Sequence, residues 1–171
     1  MNNNRQTQLL WLLTLAMGLL PLGWQWLHGG IEAHHLLADP NLPTVSNAWG
    51  ALIFPVLGLL ASRRLTVINL FSFWRNFALA GFYAAAVAGS FLAGAEQITQ
   101  PLFIAVFVMA LVLPLHRAEI VLGYVLVMSL AFGAVLPLLM SLPAMVLACV
   151  ATWLREVWTR RFKGTQSTNA I

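Results

Sequence analysis

The chain alternates between apolar runs and short polar breaks. A helix that crosses a bilayer needs about 20 mostly apolar residues. On that measure the sequence predicts spans over about 8–28, 47–61, 76–95, 101–115, 118–136 and 143–158. Residues 29–46 form a polar segment between the first two. Residues 65–74 are apolar but bracketed by Arg64 and Arg75, and are too short to cross. They read as an interfacial helix or an inner extension of the third span. The fourth span has room to begin a few residues before Pro101, and the polar tail 164–171 reads as disordered.

The stretch 118–154 is too long for one crossing. Pro137 and Pro143 supply a break, since paired prolines disfavour a continuous helix. Two crossings there also return the basic tail to the side of the other charges. The expectation is an all-α, polytopic integral membrane protein, a six-helix transmembrane bundle with both termini inside.

Charge gives the orientation. The nine basic residues are Arg5, Arg63, Arg64, Arg75, Arg117, Arg155, Arg160, Arg161 and Lys163. In the six-span layout all fall at one side, and the alternating loops carry none. Positive charge collects on the cytoplasmic side, so the layout fits a bacterial-type inner membrane. Tryptophans agree with it: Trp24, Trp26 and Trp49 fall at the outer interface, and Trp11, Trp74, Trp153 and Trp158 near the inner one.

Composition supports the same class. The chain is 60% hydrophobic and 8% charged, against about 25% charged in ordinary soluble domains. Its net charge of +4 is spread along the edges of apolar runs instead of forming a patch. That argues against nucleic acid and for a lipid bilayer as partner. The lone Cys149 allows no intramolecular disulfide. The first apolar run is too long for a signal-peptide core and lacks a cleavage context, so it reads as a retained span.

Candidate chemistry concentrates in the outer segment. His28, Glu32, His34, His35 and Asp39 lie within twelve residues of one another. Imidazole with carboxylate is a ligand set for zinc, iron or copper. If 31–38 is helical, Glu32, His35 and Asp39 share a face. The competing readings are a solvated polar loop and acid–base or proton-sensing work by histidine. Prolines 40 and 43 impose turns, and Thr44, Ser46 or Asn47 can cap the next helix.

Elsewhere the chain is informative by what it lacks. No ionisable residue falls at the middle of any predicted span, which lowers the case for a proton-coupled pump or cation transporter. The sequence contains no metal-hydrolase HExxH, nucleophile-elbow, Walker or dinucleotide motif and no CxxC. Gly81, Ala85, Gly89 and Ala93 recur at a spacing of four. Small residues so placed let helices approach closely, within the bundle or against a homo-oligomer or membrane partner. At the inner side His116, Arg117 and Glu119 come near Arg63, Arg64 and Arg75 in the topology. That cluster reads as snorkelling arginines with Glu119 paired to one of them, or as a site for a phosphate or lipid headgroup.

Two functions follow as expectations. One is a membrane protein whose outer His/acid loop binds a transition metal or acts in acid–base chemistry. The other is a non-catalytic membrane subunit, an assembly partner or small-solute facilitator.

Overall fold

Apolar runs this long satisfy their backbone polar groups internally, and the economical way is the α-helix. The computed structural model describes residues 3–30, 33–35 and 44–168. They form six helices and a short two-stranded ribbon: α1 Asn3–Leu27, β1 Ala33–His35, β2 Thr44–Ser46, α2 Gly50–Leu65, α3 Leu70–Leu92, α4 Glu96–Val112, α5 Ala118–Phe132 and α6 Val135–Thr168. The stretches Asn4–Leu27, Asn47–Leu65 and Val135–Arg161 are long and apolar enough to cross a membrane. α4 and α5 are apolar but shorter; the 15 residues of α5 extend about 22 Å against a hydrocarbon core of about 30 Å.

Packing residues give the helix directions. A Cβ at Gly58 would lie 2.5 Å from Thr14 Oγ1, and one at Gly18 3.1 Å from the Gly50 carbonyl oxygen. As α1 ascends its partner residue descends, so α1 and α2 are antiparallel. α3 and α5 are parallel: Gly123 abuts Phe77, and Gly81 abuts Val127, a constant offset along both helices. Around these contacts the side chains of Leu10, Leu65, Phe73, Leu122 and Val125 are sealed from solvent.

Polar contacts gather at the two ends. At one end the Trp74 indole donates to Gln6 Oε1 at 3.2 Å, joining α1 to α3. There Arg64 of α2 meets Glu119 of α5 at 3.5 Å, and Arg155 of α6 donates to the Val112 carbonyl at the end of α4 at 2.7 Å. At the other end Thr99 donates to Ser90 Oγ at 2.9 Å, and Gly133 sits against Asn47. Between the ends the exterior is apolar: Leu20 is 70% exposed, Phe82 75% and Leu130 72%. A soluble domain would bury such side chains, and lipid would cover them here.

Several boundaries differ from expectation. The break between the last two helices falls at Gly133, with φ +69°, and not between Pro137 and Pro143. Glycine enters that left-handed region without penalty. Pro137 lies in the first turn of α6, where its missing N–H has no intrahelical partner to lose. Pro143 sits inside a continuous helix. α2 passes Ala61 and includes Arg63 and Arg64. Of the 65–74 segment, residues 70–74 are the first turns of α3, whose start is capped by Asn69 Oδ1 accepting from the Phe71 N–H at 2.9 Å. α6 continues through Thr168, so 164–168 are helical where disorder was expected.

Candidate functional site

The segment between α1 and α2 carries three of the chain's four histidines. His28 lies just past α1, its ring stacked on Trp24 with centroids 3.8 Å apart. Its Nδ1 is 2.8 Å from the Trp24 carbonyl oxygen. A carbonyl only accepts, so Nδ1 carries the proton in this contact. His34 and His35 belong to β1, which pairs antiparallel with β2 in the register His34↔Val45 and His35↔Thr44. The backbone at 33–35 is therefore extended, and the shared helical face proposed for Glu32, His35 and Asp39 is not formed. Glu32 and Asp39 lie outside the described residues. Among the described residues no group of three or more His, Cys, Asp or Glu side chains is placed to hold a metal.

The end that carries Arg64 and Glu119 is better built. Glu119 is fully buried in the first turn of α5, where the helix dipole favours an anion. Arg64 Nε lies 3.5 Å from its Oε2, and Asn76 Nδ2 donates to its Oε1 at 3.4 Å. One carboxylate thus joins α2, α3 and α5. Pairing of Glu119 with an arginine was expected from sequence. The part of Asn76 was not; its signal is an amide at the inner end of a long apolar helix, beside Arg75.

His116 stands in the turn before α5, and its Nδ1 is buried without a hydrogen-bond partner among the described residues. Burial lowers its pKa below the usual histidine value, and Arg117 and Arg64 lower it further, against a smaller upward pull from Glu119. The folded state therefore favours neutral imidazole. Its contribution to stability is fully present above pH about 6.5, the unfolded value, and is lost as pH falls through the lower folded value. Acidification from pH 7.5 to 5 is expected to lower the melting temperature in detergent. His116→Gln should lose less over that range; an equal loss would remove His116 as the cause.

Beside this cluster a cavity of about 680 Å³ opens between α3, α4, α5 and α6. Arg75, Asn76 and Arg117 stand at the end of it nearest Glu119. Its walls are apolar apart from Tyr83, Tyr124 and Ser141, and the Tyr83 hydroxyl donates to the Leu102 carbonyl. Met109, Met140 and Met145 give it flexible, polarisable surface. A second space of about 440 Å³ lies nearer Thr99 and Gln100 and shares Phe103 and Met140 with the first. The main cavity falls within the 300–1,000 Å³ common for ligand sites.

The small-residue stripe on α3 divides. Gly81 is buried against α5, whereas Ala85, Gly89 and Ala93 are exposed. A step of four residues turns a helix by about 40°, so the stripe rotates off the α5 contact as it ascends. Comparison with protein-family models, with curated proteins and with solved structures finds no match.

Proposed function

We propose that this chain is a six-crossing protein of a bacterial-type inner membrane, with both termini cytoplasmic. In this reading the bundle is a binding protein or facilitator for an apolar molecule drawn from the bilayer. The observation that carries it is the apolar cavity of about 680 Å³ between α3, α4, α5 and α6. The space is a cleft open at one side, and its apolar walls are covered more favourably by an apolar molecule than by water. A cavity this size, walled by methionines and aromatics, is suited to an occupant.

Support for the crossings comes from contacts at the ends of the helices. Arg155 of α6 meets the end of α4, Arg64 of α2 meets the start of α5, and Trp74 of α3 meets Gln6 near the start of α1, the pairing of ends expected where consecutive helices cross in alternate directions. Every arginine and lysine of the chain belongs to those ends, the side that stays cytoplasmic. Single cysteines in a Cys149→Ser background test the arrangement. Ala48→Cys and Gln97→Cys should react with a membrane-impermeant maleimide on intact spheroplasts. Thr66→Cys should react only after permeabilisation, and its labelling from outside would sink the orientation.

Ligand binding is tested with an apolar fluorescent probe, 1-aminoanthracene, added to purified protein in nanodiscs. Saturable one-to-one enhancement above empty nanodiscs is expected. A signal no larger than that of empty nanodiscs would remove the binding reading.

The metal reading retains one supporting observation. His28 donates its Nδ1 proton to a backbone carbonyl, the orientation that commonly holds a metal-ligating imidazole. In that reading the outer His/acid residues hold zinc, iron or copper. Elemental analysis of the wild type beside a His34→Ala/His35→Ala variant decides it: stoichiometric metal lost in the variant supports the site, and equal content in both rejects it.

A further inference from the structure

We infer that the occupant of the cavity is an anionic amphiphile, with its charged head held by Arg75 and Arg117 and its apolar tail lying between the helices. The inference rests on the binding reading above and gives it a ligand class. Three observations converge.

First, the charge at the cavity mouth is uncompensated. The buried acid at this end, Glu119, is engaged by Arg64 and Asn76. Arg75 contacts only the Asn76 side-chain oxygen, at 3.5 Å, and neither Arg75 nor Arg117 has an acidic partner among the described residues. Both line the cavity. Two guanidiniums at the edge of a low-dielectric space favour an anion, and their planar forks suit carboxylate or phosphate oxygens.

Second, the space is elongated. The two spaces are adjacent, both bordered by Phe103 and Met140, and their α3 walls run from Arg75 to Phe91, about 24 Å of helix rise. That is the shape of an extended chain and not of a compact solute. Third, positive charge is confined to the arginine end. Beyond Asn76 and Arg117 the lining is mostly aliphatic, aromatic and thioether, and its other polar groups, Tyr83, Tyr124 and Ser141, then Thr99 and Gln100, carry no positive charge, so an anionic head meets cations at one end only.

Phosphate groups occur on lipids and free in the cytoplasm, and the test separates the two. Protein in mild detergent is examined by native mass spectrometry with three probes: phosphatidic acid, phosphatidylcholine and inorganic phosphate. One phosphatidic acid per protein should persist, with phosphatidylcholine retained at least about tenfold less and phosphate not at all. Equal retention of the two lipids would overturn the anionic head, while the 1-aminoanthracene result would still stand or fall separately. Retention of phosphate alone would overturn the tail.

Two variants then distinguish an occupant of the cavity from a lipid on the outside of the bundle. Arg75→Gln/Arg117→Gln should abolish the preference for phosphatidic acid. Ala80→Leu, which fills the wall while keeping both arginines, should abolish it too. Retention in Ala80→Leu would mean that the arginines hold only surrounding lipid. Should that variant misfold, wild-type protein is photolabelled with phosphatidic acid carrying a diazirine on its chain. Crosslinks at Met109, Met140 or Tyr124 support the inference, and crosslinks confined to exposed positions such as Leu20 and Phe82 overturn it.

Discussion

Glu119→Ala is expected to destabilise the bundle by about 3 kcal/mol, the lower part of the range for removing one partner of a buried charge pair. The lower part applies because Arg64 keeps 34% of its side chain exposed, so water still solvates it when the carboxylate is gone. The loss has further sources: Asn76 gives up its acceptor, and the first turn of α5 loses a favourable negative charge. Thermal or denaturant unfolding in detergent measures it. The companion variants sharpen the test. Arg64→Leu alone leaves a fully buried carboxylate with only an amide for company, and should cost at least as much. Joining Arg64→Leu to Glu119→Leu should recover part of the loss, because replacing both partners by apolar groups removes the desolvation cost with the attraction. A loss below about 1 kcal/mol for Glu119→Ala would place the carboxylate among surface pairs and end its assignment as the junction of three helices.

This junction was half legible in the sequence. A single acid beside several arginines at the start of an apolar run marks an ion pair, and the charge pattern groups these residues at one end of the helices. What no spacing encodes is the choice of Arg64 over Arg63 or Arg75, or the arrival of Asn76 from α3. Those depend on how far each helix rotates once packed. The helices themselves were legible because apolar length is a strong signal. The break at Gly133 was less so: proline draws attention as a breaker, yet Pro137 is harmless in a first turn and the glycine makes the actual bend. The cavity had no signal at all. Its lining comes from four helices, and each contributes residues that read singly as ordinary apolar membrane sequence. Along the outer segment the histidines stood out, but the i, i+3, i+7 argument presupposed a helix, and the backbone at 33–35 pairs as a strand instead.

The α3–α5 contact yields the second large effect, as a graded series. A Cβ at Gly123 would lie 2.3 Å from the Phe77 carbonyl oxygen and 3.1 Å from its carbonyl carbon. Both are backbone atoms, so no rotamer change relieves the clash and α3 must move off α5. Overpacking of a core commonly costs 1–3 kcal/mol; with backbone against backbone, Gly123→Ala should cost at least about 3 kcal/mol, and Gly123→Val should prevent recovery of folded protein. At Gly81 the nearest atom is Val127 Cγ2, at 3.3 Å. That methyl can shift, so Gly81→Ala should cost about 1 kcal/mol. At Gly89 nothing lies within 4 Å, and alanine there should stabilise by about 0.5–1 kcal/mol through its better helix propensity. The order Gly123, Gly81, Gly89 is the prediction, and unfolding midpoints of the three alanine variants check it. Any other order would mean that α3 and α5 do not meet in this register. Gly89→Leu extends the series to the exposed part of the stripe. In an isolated bundle it should leave both the fold and the molecular mass in detergent unchanged. A wild-type dimer that falls to monomer in Gly89→Leu would show that Ala85, Gly89 and Ala93 receive a second copy of the chain.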